Sequence, residues 1–184
     1  MKWFKTTHVF NYEWNLVSAA QWQKYPNESC PHVAHVDVLN RTIDPETGIL
    51  TTERLITVNQ NIPTLIKKIL GSSSIQYVRE ISVIDPKKKT FTMHSINLTL
   101  CHLLTCNETI IYQEHTEDNT KTKFSQEATI SAGSGLMSGW SNVLEEFSIR
   151  RFKQNADVGR IGFNKVLERF VVMAEEAQQK QKQI

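Results

Sequence analysis

At 184 residues, 40% hydrophobic and 22% charged, the chain is long enough to bury a sizeable core and short enough to be one domain. Its net charge of +2 is too small to mark a nucleic-acid binder, and no apolar run approaches the roughly 20 residues a transmembrane helix needs. Three cysteines, Cys30, Cys101 and Cys106, are odd in number and lack CxxC spacing, which argues against a disulfide framework and a structural zinc site and leaves three reduced, buried thiols as the expectation.

The N-terminus, MKWFKTTHVF, is neither a signal peptide nor an Arg-rich amphipathic presequence, so no cleavable address is expected. Sequons at Asn27, Asn40, Asn97 and Asn107 then read as chance. Lys2 to Phe10 alternates apolar and polar and predicts a first strand. Trp14 to Lys24 predicts a helix with an imperfect apolar face, closed before Pro26, which disfavours helix at the preceding residue. Val33 to Ile43 alternates again. Asp44 to Gly48 is turn chemistry, and Ile49 to Val58 is the return strand.

The stretch that follows is unusual. Ile62 to Gly71 places Pro63, Leu65, Ile66, Lys67, Lys68, Ile69 and Leu70 where a hairpin needs only a few polar residues. Two readings fit: a plug for the domain's own core, or a lid over an apolar cavity that also touches membrane through Lys67 and Lys68. Strands follow at Ile75 to Ile84, Thr90 to Leu100, Asn107 to Tyr112 and Lys123 to Ser131, with Cys101 to Cys106 a bend or a bulge. From Leu136 to about Gln179 the period turns helical, with Trp140, Val143, Leu144, Phe147, Phe152, Phe163, Val166, Leu167 and Phe170 on one stripe. Unbroken, this helix would span about 65 Å at about 1.5 Å per residue, although Gly159 and Gly162 invite a kink. The pattern is α+β: a strongly curved antiparallel sheet with helices on one face and an apolar cavity under the long helix. Residues 1–172 form the domain, and 173–184 a polar, fraying tail.

Catalytic signatures are missing. There is no GxSxG elbow, P-loop, GxGxxG or HExxH, so no catalytic residue, cofactor or metal ligand is assigned. His35 and Asp37 share a strand face while His32 points away, against a metal cluster. Cys106 near His102 lacks an orienting third group. Glu145, Glu146, Glu175 and Glu176 read as solvated helix charges. Basic residues are more suggestive. Arg151 and Asn155 stand at i, i+4 spacing. They belong either to a solvated basic face with Arg150 and Lys153, or to a cation and amide inside the cavity, where a phosphate would be the natural partner.

KYPNE at 24–28, PHVAHVDVLNR at 31–41, TERLITVNQNIP at 52–63, YVREISVIDPKKKTFTMHSINLT at 77–99 and RRFKQNADVGRIGF at 150–163 resemble the PRELI-like phospholipid carriers of the mitochondrial intermembrane space, and most of all their Ups and slowmo branch. The resemblance implies a StART-like fold of about seven strands with a long C-terminal helix, and an Ω-loop lid at Ile62 to Gly71. It implies carriage of phosphatidylserine between the outer and inner membranes, in support of phosphatidylethanolamine synthesis. It also implies a small twin-CX9C partner in a heterodimer, peripheral contact with anionic membranes, and no cofactor beyond the lipid cargo. Carried over by position, the headgroup residues are Lys24, Arg54, Arg151 and Asn155. Val58, Asn61 and Val158 stand where the phosphatidic-acid branch carries lysines, which favours a headgroup with its own ammonium and carboxylate.

Overall fold

In the computed structural model, residues 1–59, 75–133 and 138–181 are described. Seven antiparallel strands form one sheet: β1 (Lys2–Phe10), β2 (Val33–Ile43), β3 (Leu50–Asn59), β4 (Ile75–Asp85), β5 (Thr90–Asn97), β6 (Leu104–Glu114) and β7 (Thr122–Ala132). Their order is β1-β7-β6-β5-β4-β3-β2. From β2 to β7 each strand pairs with the next, so only the β1-to-β2 connection crosses the sheet. That connection carries helix α1 (Trp14–Ala20) and a 3-10 turn (Gln21–Gln23). The chain closes with α2 (Ser138–Gln181), 44 residues long.

The hairpin turns explain the register. Asp44 Oδ1 accepts the backbone N–H of Glu46 and Thr47 at 2.8 and 2.9 Å, and Asp85 Oδ1 does the same for Lys87 and Lys88 at 3.0 Å. Each Asp-Pro turn ends on a left-handed residue, Gly48 (φ 74°) and Lys89 (φ 49°), which Gly adopts without steric cost.

The core lies between the inward face of the sheet and the two helices. Phe10, Trp14, Val17, Phe91, Tyr112, Phe124, Phe163, Val166 and Leu167 are all buried there. Phe10 meets Phe124 and Phe163 edge-on, with centroids 6.0 and 5.6 Å away, a favourable geometry for aromatic pairs. The sheet buries one face only, as antiparallel sheets can. Along β3, Thr52, Arg54, Ile56 and Val58 are buried while their neighbours are not.

Several expectations need correcting. The first helix is α-helical only to Ala20 and then tightens to 3-10, so Lys24 lies just past its end. β5 stops at Asn97, and a turn through Leu100 (φ 58°) leads into β6 at Leu104. This resolves the ambiguous segment as a bend. α2 runs through Gly159 and Gly162 as one helix. Trp140 and Val143, placed on its buried stripe, are 38% and 44% exposed. Glu145, read as solvated, is buried: it accepts the Met1 amine at 2.7 Å and the Ala132 N–H at 2.8 Å. The thiols are not uniformly buried, since Cys101 is exposed. The lid, Ile62 to Gly71, lies outside the described residues.

Candidate functional site

A cavity of about 250 Å³ opens between α2 and the inward sheet face. A second, of about 130 Å³, shares Gln76, Asn97, Cys106, Phe152 and Asn155 with it. Aliphatic and aromatic walls come from Ile56, Val58, Val78, Ile110, Phe152 and Phe163. Phe10, Tyr112 and Phe124 line one end, where the aromatic core closes it.

Lys24 enters this space from the end of the 3-10 turn. Among the described residues its ammonium makes no hydrogen bond or ion pair. Its neighbours are the rings of Tyr25 and Phe163, 5.4 and 5.9 Å from the nitrogen. Burial opposes its charge, but the Tyr25 and Tyr112 phenols and the Glu108 and Glu80 carboxylates outweigh that, and its pKa is raised. Arg151 and Asn155 both face inward from α2: Asn155 lines both cavities and Arg151 the second. The Arg151 Nε is buried with no hydrogen-bond partner. An unpaired buried donor of this kind is costly and rare in a native protein. His32, above the same space, is held below its ordinary value by burial and by the Arg151 and Lys24 charges.

The structure separates Arg54 from these three. Arg54 is 4% exposed and is already paired: its Nε and Nη2 donate to Glu80 Oε1 at 2.8 and 2.5 Å. Its guanidinium also stacks on Trp22 at 5.2 Å, with Arg41 on that ring at 4.5 Å. The anionic partner a buried guanidinium requires is therefore supplied by β4, and it is Glu80 that faces the cavity. Of the positions that lack the lysines of the phosphatidic-acid branch, Val58 lines the cavity and Val158 is 40% exposed. Asn61 lies outside the described residues.

Residue-by-residue reading of the sequence missed the acidic side of the site. Glu80, Ser95 and Glu108 all line the cavity. Register sets them side by side: Arg54 faces Glu80, Glu80 faces Ser95, Ser95 faces Glu108, and Glu108 faces Ala128. Glu108 accepts a hydrogen bond from Gln126 Nε2 at 2.5 Å. Burial raises its pKa, against the Gln126 bond and the Lys24 charge. The signal was present, since these polar residues sit at inward positions of alternating strands. The Cys106 thiol is pushed up to about 12 by burial and by Glu108, which holds it as an unreactive thiol. His35 and Asp37 share an exposed face of β2 and bond at 3.0 Å. Among the described residues no three His, Cys, Asp or Glu groups could hold a metal ion.

The model of the PRELI-like family matches residues 15–173. "Protein UPS2, mitochondrial" of Saccharomyces cerevisiae is 47% identical over 171 residues, covering 92% of this chain and 74% of that protein. A UPS-like protein of Schizosaccharomyces pombe is 43% identical over 92% of this chain and 90% of its own length. The slowmo homolog of Dictyostelium discoideum is 35% identical over 83% of this chain and 65% of its own. Among solved structures, the Zhui aromatase/cyclase of a Streptomyces superimposes with a TM-score of 0.63 at 12% identity, covering 92% of this chain and 95% of that one. TTHA0849 of Thermus thermophilus superimposes with a TM-score of 0.57 at 9% identity, covering 90% and 97%. These likenesses fix the fold as StART-like.

Proposed function

The chain belongs to the PRELI-like family, and from that premise we propose that it carries phosphatidylserine between the outer and inner mitochondrial membranes and so supports phosphatidylethanolamine synthesis. The supporting observation is Lys24: an ammonium without a hydrogen bond or ion pair among the described residues, inside a largely apolar cavity. Such a cation needs an anion, and a phosphodiester whose acyl chains lie along the apolar walls supplies one. Burying those chains is favourable by about 0.8 kcal/mol per CH₂ relative to water. The unpaired Arg151 Nε and the inward Asn155 extend the donor set. Arg54 acts indirectly, by holding the Glu80 that faces the cargo.

On this reading the protein is a carrier and not an enzyme. It works in the intermembrane space, in keeping with the mitochondrial relative, paired with a small twin-CX9C protein. Contact with anionic membranes rests on the sequence of 62–71, where the apolar residues enter the interface and Lys67 and Lys68 face headgroups. Val58 at the cavity wall, in place of a lysine, favours phosphatidylserine over phosphatidic acid, the second cargo of the same fold.

The test is transfer of fluorescent phosphatidylserine and phosphatidic acid between liposomes. The Lys24→Met variant should lose transfer by about tenfold or more, the effect of deleting a charged hydrogen-bond partner. Its melting temperature should fall by only a few degrees, the cost of losing the ring contacts with Tyr25 and Phe163, so the loss of transfer is not a loss of fold. Normal transfer by this variant would remove Lys24 from the site. No transfer by the wild type would favour a non-transferring adaptor.

A further inference from the structure

We infer that Glu108, with Ser95 and Glu80 beside it, is a receptor for a primary ammonium, and that it makes the cavity read the amine of a phospholipid headgroup as well as its phosphate. The inference rests on the carrier reading above and extends it to a residue that no phosphate-binding argument requires.

A row of four inward positions runs across the sheet: Arg54, Glu80, Ser95, Glu108. Arg54 occupies Oε1 of Glu80. Glu108 has no cation in hydrogen-bond contact among the described residues, although the Lys24 charge acts on it from a distance. Its one hydrogen bond among the described residues is from the neutral Gln126 amide, to Oε1. Between the two carboxylates, on the intervening strand, stands Ser95, whose short side chain also lines the cavity. Both carboxylates border the cavity. Strands lie about 4.8 Å apart, so the carboxylates flank Ser95 by one strand on either side. An ammonium has three donors and no acceptor. Glu108 offers it a carboxylate, with the Ser95 hydroxyl on the neighbouring strand and the Glu80 carboxylate one strand beyond.

The remaining charges also fit an amine. A site for a bare phosphate monoester has no use for carboxylates at its wall, because like charges beside a dianion are costly. Here two of them border the space that Lys24 enters, and both act on Lys24. A zwitterionic headgroup meets both signs: its phosphate goes to Lys24, Arg151 and Asn155, and its ammonium to Glu108. Sites built to bond a polar group discriminate strongly against ligands that lack it, since the site's own group is then left unpaired.

The experiment is a liposome transfer assay with the full chain and four lipids of identical acyl chains: phosphatidylserine, phosphatidylethanolamine, phosphatidylglycerol and phosphatidic acid. The first two carry the amine and the last two lack it. Glu108→Gln, which keeps shape and removes charge, should slow both amine lipids about tenfold and leave the other two within about twofold. Ser95→Ala, which adds no bulk, should slow the amine lipids alone, by about threefold. Loss confined to phosphatidylserine would overturn the inference, because the amine is shared. Equal loss across all four lipids in both variants would overturn it too, as would unchanged rates. If the wild type moves none of the four, the carrier reading falls, and this inference with it. If the wild type transfers lipid and the variants match it, only the inference falls.

Discussion

Arg54, expected by resemblance at the headgroup, already has an anionic partner within the protein, Glu80. Alternation along β3 puts Arg54 inward, and burial demands an anion for it. The sequence cannot say that this anion is Glu80, 26 residues away, because the pairing depends on the β3–β4 register. Breaking half of a buried pair leaves an uncompensated charge. Arg54→Met should cost about 3–5 kcal/mol and lower the thermal midpoint by roughly 10 °C. The double variant Arg54→Met, Glu80→Leu should recover most of that loss in the same melting experiment. His32 gives a pH dependence of known sign. Its folded pKa lies below the ordinary 6.5, with burial the largest cause and Arg151 and Lys24 adding to it. The unfolded chain therefore binds the proton more readily, and stability falls as pH drops below 6.5 through the folded value. Chemical denaturation across that window should show the slope, and His32→Gln should flatten it.

At the scale of elements, two glycines in α2 make opposite demands. A Cβ on Gly162 would meet Ser29 Cβ at 2.9 Å and the Asn27 Nδ2 at 3.2 Å. The short loop after Lys24 is seated on the helix at that point. Gly159 has nothing within 4 Å. Alanine gains about 0.5–1 kcal/mol over glycine in a helix interior. Gly159→Ala should therefore raise the midpoint by about 2 °C, while Gly162→Ala should lower it, since a close contact costs about 1–3 kcal/mol. Differential scanning calorimetry of the two variants separates these outcomes. The strands themselves were legible: β1 and β2 match their predicted limits to the residue, because alternation is a strong signal. Alternation misleads about β2 in one respect, for most of its residues are exposed on both faces. It is an edge strand of the sheet, and position in the sheet is not written in its local pattern. The 3-10 turn escaped for a related reason, since the sequence from Gln21 to Lys24 permits either helix type and tertiary packing decides.

For the molecule as a whole, the cavity carries the largest prediction. A ligand that binds only the folded state stabilises it by about 2.7 kcal/mol at a hundredfold excess over Kd. For a chain of this size that is roughly 5–10 °C. Protein stripped of lipid should melt lower by that amount and recover when phosphatidylserine is added back; an unchanged midpoint would mean the space stays empty. The fold followed from element order, and the cavity from placing a long helix across a curved sheet. The site was less legible. Arg151 and Asn155 were legible as one reading of their i, i+4 spacing and Lys24 by resemblance, and each lines one or both cavities, whereas the acidic row across β4, β5 and β6 needed the register of three strands at once.

The aromatic floor has a mechanical consequence. Phe10, Tyr112, Phe124 and Phe163 line one end of the cavity, and the packed core lies behind them. Among the described residues, the space is therefore closed at that end. On the carrier reading, cargo does not leave through this floor and passes elsewhere along the cavity's border.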